Sequence, residues 1–235
     1  MKKLVLLLVA FILVAGFCFA QEEEETAPAK PEKLDLEITI GVPIHWTNSL
    51  APHKFYGTAV DEDKTVTANT AIGIALLFNV NKKLGFTFDF DFFVGADVMG
   101  HTDTDSYSNT LFGANALLGP VIYLYNGSFL RIPLAIGLHA YYWSSDHWDG
   151  TMAGINTGNV WVKTTDLQLG LGISLGIQFH FNDSLYIFSR TNAAIDVFRL
   201  HKVSGNDGTD EIKESHAKME IGWLVKPTIG VGVKF

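Results

Sequence analysis

Apolar and polar residues alternate with period two along most of this chain, in eight successive segments. In the first, every even position from Leu34 through Leu36, Ile38, Ile40, Val42 and Ile44 to Trp46 is apolar. The odd positions between them are Asp35, Glu37, Thr39, Gly41, Pro43 and His45. Val66, Ile72, Ile74, Leu76 and Phe78 mark the second segment, and Leu84, Phe86, Phe88, Phe90, Phe92, Val94 and Val98 the third. The fourth runs from about Thr110 to Tyr125 and the fifth from Phe129 to Trp143. The sixth alternates from Leu167 to Phe181, the seventh less cleanly from Leu185 to Leu200, and the eighth from Met219 to Phe235. Period-two alternation predicts β-strands with one face turned to an apolar medium.

The second face separates two architectures. A soluble sandwich places charged and Thr-rich residues on its wet face, whereas here that face is largely Gly, Ala, Ser and Thr with a few charges. Many of the segments also reach the ~9–11 residues that a tilted strand needs to cross a bilayer. Short turns fall at Asn79–Lys83, Asn126-Gly127 and Asn182–Ser184. Long polar connections fall at about Thr47–Lys64, Met99–Asn109, Ser144–Asn159 and His201–Ala217. Asn-Gly between alternating runs is a strong hairpin signal, and strict short/long alternation is the layout of a transmembrane barrel. The expected fold is therefore all-β: an eight-stranded antiparallel up-and-down transmembrane β-barrel, with short periplasmic turns and four longer extracellular loops. The five tryptophans fall in or near the side with the long loops, and Phe78, Phe86, Phe179, Phe181 and Phe235 near the other. Two aromatic belts are expected at the two interfaces.

The first twenty residues read as a signal peptide. Lys2 and Lys3 precede an apolar run from Leu4 to Gly16, and Cys18-Phe19-Ala20 offers a cleavage site before Gln21. Removing Lys2 and Lys3 from 17 basic residues leaves 15 against 25 acidic ones, a net charge of −10. No basic stripe is present to neutralise phosphates, so nucleic acid is not expected as a partner. The only cysteine goes with the leader, leaving packing and backbone pairing to hold the fold. Residues 21–33, QEEEETAPAKPEK, form a charged, Pro-interrupted linker expected to be disordered in the periplasm. Residues 34–235 make the barrel.

The ending Ile229, Val231, Val233, Phe235 resembles the C-terminal signal read by the barrel-assembly machinery of diderm outer membranes. As a whole, Leu34 to Phe235 resembles the small eight-stranded outer-membrane proteins of the OmpW, OmpX and OmpA-barrel group. The resemblance implies a lipid-embedded protein with both termini periplasmic. Within that group the OmpW-like members are favoured, which implies binding or passage of small hydrophobic molecules.

The inward series supports that implication in part. Asp89, Asp91, Arg131, Arg190 and Lys226 fall in the lower or middle lumen and predict an ion-paired polar plug. Above them Phe93, Leu111, Leu117, Tyr141, Phe198 and Leu224 predict an apolar upper chamber suited to a small hydrophobic solute. Many inward glycines suggest either tight coiling of the sheet or a cavity. Pro43 and Pro227, on the strands that close the barrel, each lack a ladder N–H and suggest a lateral gate. The alternative is a closed structural barrel that meets an external ligand through its loops.

Chemistry is sparse. Ser144-Ser145-Asp146-His147 and Ser215-His216 are the close Ser/His groupings, both in expected loops, and neighbours in sequence rarely form a nucleophilic relay. No enzyme, no cofactor and no metal site are expected. The acidic loop runs Asp61–Asp63, Asp103–Asp105 and Asn206–Glu211 lack the spacing of a twelve-residue calcium loop.

Overall fold

The computed structural model describes residues 33–48, 53–55, 58–60, 64–96, 110–149, 160–206 and 211–235. Thirteen strands are present among them: β1 (Lys33–Gly41), β2 (Ile44–Asn48), β3 (His53–Phe55), β4 (Thr58–Val60), β5 (Lys64–Ala68), β6 (Thr70–Asn79) and β7 (Leu84–Ala96). The rest are β8 (Thr110–Asn126), β9 (Leu130–Asp149), β10 (Val160–His180), β11 (Leu185–Asn206), β12 (Glu211–Lys218) and β13 (Gly222–Lys234). The pairs β1/β2, β5/β6 and β12/β13 are each one wall strand with a short break, so the wall has eight antiparallel strands. Strands β3 and β4 form a separate hairpin. The expected signal peptide, nearly all of the linker, and the acidic runs 61–63 and 103–105 lie outside the described residues.

Closure can be followed residue by residue. Glu37 pairs with Ala75, then the path runs through Asp89, Leu117, His139, Gly170, Asp196 and Gly222 to Thr47, ten residues beyond its start. A stagger of that size over eight strands tilts them by roughly 40° from the barrel axis. From Glu37 to Gly222 every residue on this path faces inward.

Turn chemistry fixes the register at the end with the short turns. Asn81 Oδ1 accepts from the backbone N–H of Lys83 and Leu84, both at 2.8 Å, and Asn182 Oδ1 accepts from Ser184 and Leu185 at the same distance. Such side-chain mimics of a backbone turn are the reason asparagine is favoured there. The last residue is tied in as well: Phe235 N–H donates to Leu34 O at 2.8 Å.

The outer surface is apolar. Thirty-seven large apolar side chains among the described residues are exposed. At ~1.5 kcal/mol or more each, leaving them in water would cost on the order of 50 kcal/mol, far beyond the net stability of a domain. Outward positions from Leu34 to Trp46, on β6 to β8, on β9 up to Tyr142, on β10 from Leu167, on β11 to Val197 and on β13 carry no charge, and among those whose exposure is described only Thr70, Ser189 and Thr191 are polar. Only a lipid environment suits such a face, because bilayer-spanning sheet must both close on itself and present hydrocarbon.

Three expectations change. The segments expected as loops after Trp143 and Leu200 continue as strand, because β9 to β12 pair with one another as far as Asp149↔Val160 and Asn206↔Glu211. On that side the wall runs roughly 15 Å past the last outward leucines, Leu167 and Leu200. Secondly, a β-bulge at Val197 puts Leu169 opposite Phe198 but Gly170 opposite Asp196. The extra residue flips the side-chain phase, so Phe198 joins Val197 on the outer face while Arg199, His201 and Val203 turn inward. This is why the seventh segment alternates poorly. Lastly, Trp143 is buried inside rather than facing the interface, whereas Trp46 and Trp223 are paired neighbours on the outer face.

Replacing Ile74, exposed in the middle of the belt, by arginine is expected to lower folding stability in phosphatidylcholine vesicles by about 2–4 kcal/mol. Denaturant titration followed by gel mobility measures it, and Lys83→Ala in a turn should change little.

Candidate functional site in the lumen

The inward faces of the eight strands build the lumen, and side chains fill it in layers. Nearest the short turns, Asp35 lies opposite Lys234, accepts a hydrogen bond from Asn79 Nδ2 (3.2 Å) and sits 3.8 Å from Arg131. Tyr123 donates to Asn79, and Arg131 lies over the Tyr123 ring. One layer up, Glu37 accepts from Gln178 (2.9 Å), Tyr186 (2.9 Å) and Arg190 (2.8 Å). Arg190 also approaches Asp89 at 3.4 Å, and Asn192 donates to Asp89 at 2.9 Å. Lys226, with no exposed surface, is ion-paired to Asp91 and lies 3.6 Å from Asp89. Thr39 completes the shell of Asp91 with a 2.9 Å hydrogen bond.

These contacts join β1, β7, β9, β10, β11 and β13 across the barrel. Four carboxylates (Asp35, Glu37, Asp89, Asp91) interleave with four cations (Arg131, Arg190, Lys226, Lys234). Opposite charges held this closely offset the cost of removing each from water, and taking one partner away strands the other. All five residues of the expected plug are brought together here.

Above this layer lies an apolar cluster of Ala71, Phe93, Leu111, Tyr141, Trp143, Ala194 and Leu224. The Phe93 and Tyr141 rings stack at 5.1 Å, and His45 stacks on the other side of Tyr141 at 4.1 Å. Four of the six residues expected to line an upper chamber are here: Phe93, Leu111, Tyr141 and Leu224. They are packed on one another with at most 1 % of their surface exposed, so they form a layer and not an open chamber. Leu117 belongs to a lower cluster with Leu77, Val121, Tyr123 and Ala135, and Phe198 is on the outer face because of the bulge.

The inward glycines are explained by close packing. A Cβ on Gly232 would collide with the Tyr186 ring, on Gly230 with Phe188, and on Gly113 with Phe93. Large rings lie over the bare backbone of the neighbouring strand, which fills the space a cavity would occupy. A cavity among the described residues, lined by Glu37, Asp89, Leu117, Gln178 and Arg190 among others, measures about 20 Å³. That is room for about one water molecule.

A second polar network, which sequence reasoning missed, reaches the end opposite the short turns. Asp196 accepts from His139 Nδ1 at 2.7 Å and faces His45 Nε2 at 3.5 Å. Asp166 is held by Arg199 Nε (2.6 Å) and His201 Nδ1 (3.1 Å), and Arg199 extends to Glu220 at 3.5 Å. The bulge hides Arg199 and His201 from simple alternation. Its trace in the sequence is the adjacent pair Val197-Phe198, after which apolar residues resume on the other phase.

The expected gate at Pro43 and Pro227 is closed. Pairing along the seam stops at Gly41↔Thr228 and resumes at Ile44↔Val225 without any change of register. Across the two-residue gap Val42 N–H donates to Pro227 O at 3.1 Å, and Asn69 N–H donates to Pro43 O at 3.2 Å. Pro43 faces the lumen and Pro227 the outer surface, so the lost donors do not coincide in an opening.

Of the Ser/His groupings, Ser144 lies on β9 and not in a loop; it is buried and its Oγ donates to Thr164 O at 3.1 Å. Ser215 and His216 are exposed on β12, again a strand. Among the described residues no three His, Cys, Asp or Glu side chains converge as a metal-binding group.

An apolar outer face, a closed eight-strand wall and an ion-paired interior define a small β-barrel of the outer-membrane type. Solved structures agree with that class. OprG of Pseudomonas aeruginosa superposes with a TM-score of 0.57 at 14 % identity, over 88 % of this chain and 97 % of that one. A major outer membrane protein of Thermus thermophilus gives 0.54 at 10 % identity, over 85 % and 99 %. The outer membrane protein AlkL, determined in lipid bilayers, gives 0.52 at 13 % identity, over 92 % and 95 %. At these identities the likeness is one of fold. No protein-family model matches the chain, and no curated protein does.

Lys226→Met should leave Asp91 and Asp89 without their shared cation and lower stability by about 3–5 kcal/mol. The double variant with Asp91→Asn should recover part of that loss, as read from denaturant unfolding in vesicles.

Proposed function

We propose that this protein is a closed barrel of a diderm outer membrane, with its termini in the periplasm and its activity at the end opposite the short turns, where it meets an external ligand. In this reading the assembly machinery recognises the strand that ends in Phe235. The single observation that carries the proposal is the occupied lumen: the charge network, the Phe93–Tyr141–Leu224 layer and the upper histidine–aspartate network leave a cavity of about 20 Å³. The lumen then works as a brace. The wall from β9 to β12 continues beyond the belt with polar outward residues such as Thr165, Lys202 and Ser215, which supports a role outside the lipid.

Passage of small hydrophobic molecules, the function implied by OmpW-like proteins, would require the Phe93–Tyr141 stack to move and the seam to open. Neither is favoured by the packing. The refolded protein in a planar bilayer is expected to give no stepwise ion conductance. Discrete conductance steps that a small hydrophobic solute blocks would overturn the closed-barrel reading and restore the transport one.

A further inference from the structure

We propose that the outer face of β10 to β12, just beyond the apolar belt, binds the phosphate of an anionic lipid headgroup through Lys163, Lys202 and Lys213. The inference needs only that the barrel spans a membrane; it is independent of whether the lumen is closed.

Register places the three lysines. Lys202 pairs with Thr165 on one side and Ser215 on the other. In the next row out, Lys163 pairs with Ser204, and Ser204 with Lys213. Paired residues point to the same side of a sheet, and the neighbours His201 and Val203 are buried inward, so this row and Lys202 point outward. Lys202 is therefore diagonal to both other lysines, at the roughly 7–8 Å separation of such neighbours. Three ammonium groups on flexible stems can close on one phosphate from there.

Their height supplies the ligand. Lys202 is two positions beyond Leu200, and Lys163 four beyond Leu167, at the edge of an outer face that carries no charge across the belt. Lipid phosphates lie at that level, and long basic side chains reach them from interfacial positions. Lys213 and Lys202 are exposed, and Lys213 shares Glu211 at 2.5 Å. Two acids share these rows, Glu211 beside Lys213 and Asp146 in register opposite Lys163, so three lysines stand against two carboxylates and the face keeps a surplus of one positive charge.

The test refolds the protein into phosphatidylcholine vesicles containing brominated phosphatidylglycerol or brominated phosphatidylcholine and reads tryptophan quenching. Trp46 and Trp223 face the lipid at the same end. The native protein is expected to favour the anionic lipid by roughly fivefold, and Lys163→Gln/Lys202→Gln/Lys213→Gln to bring the ratio towards one. Lys202→Gln alone should give an intermediate ratio, and Lys82→Gln/Lys83→Gln in a turn at the other end should leave it unchanged. Heat-modifiable gel mobility confirms that each variant is folded, and the single variant carries the test if the triple one is not. A preference that survives the lysine substitutions, or that falls equally in the turn variant, overturns the proposal. Loss of the native preference on adding inorganic phosphate, at ionic strength held constant with chloride, would assign the lysines to a free anion instead and overturn the lipid reading.

Discussion

The structure depends on the lack of water around its outer face. With no solvent to bond, each backbone N–H and C=O in the wall must be paired by a neighbouring strand, which forces the sheet to close. The closure at Gly41↔Thr228 and Ile44↔Val225 meets that demand even though two prolines interrupt it. The same constraint clears charge from the outward positions, so Asp35, Glu37, Asp89, Asp91, Arg131, Arg190 and Lys226 have nowhere to go but inward. Once inside a narrow lumen they must neutralise one another.

That necessity gives the interior its second role. Glu37 on the first strand is held by Gln178, Tyr186 and Arg190 on β10 and β11, and Asp91 on β7 by Lys226 on β13. Strands far apart in sequence are thus braced through the middle, in addition to the hydrogen bonds between adjacent ones. Glycines at 113, 230 and 232 let Phe93, Phe188 and Tyr186 lie flat on the wall, and the space between the polar layers closes. A barrel built this way spends its interior on its own integrity, and what it can offer a partner is at its ends and on its rim.

Most of the wall was legible in the sequence because its signal is local and repeated. Alternation from Leu34 to Trp46 or from Leu167 to Phe181 states which side chains face lipid, and the Asn-containing turns state the register. The plug residues were legible for the same reason: charges on an otherwise small-residue face must pair. Two kinds of information were not local. The bulge at Val197 changes the phase of everything after it, so strict alternation places Phe198 inward and Arg199 and His201 outward, the reverse of the structure. The volume of the lumen depends on which ring lies over which glycine across strands, and no single segment records that; hence a packed layer of Phe93, Tyr141 and Leu224 was read as a chamber. Loops after Trp143 and Leu200 were equally hard, since polar residues there suit a strand once it has left the membrane.

The central claim is that side chains fill the lumen at the apolar layer above the charge network. Single cysteines at Ala71 and Ala194, which face inward at that level, test it directly against cysteines at the rim positions Lys202 and Ser215. A charged, membrane-impermeant thiol reagent should label the rim sites rapidly and leave 71 and 194 unreacted in the folded protein. Rapid labelling at 71 or 194 would show an open lumen at that layer and contradict the account.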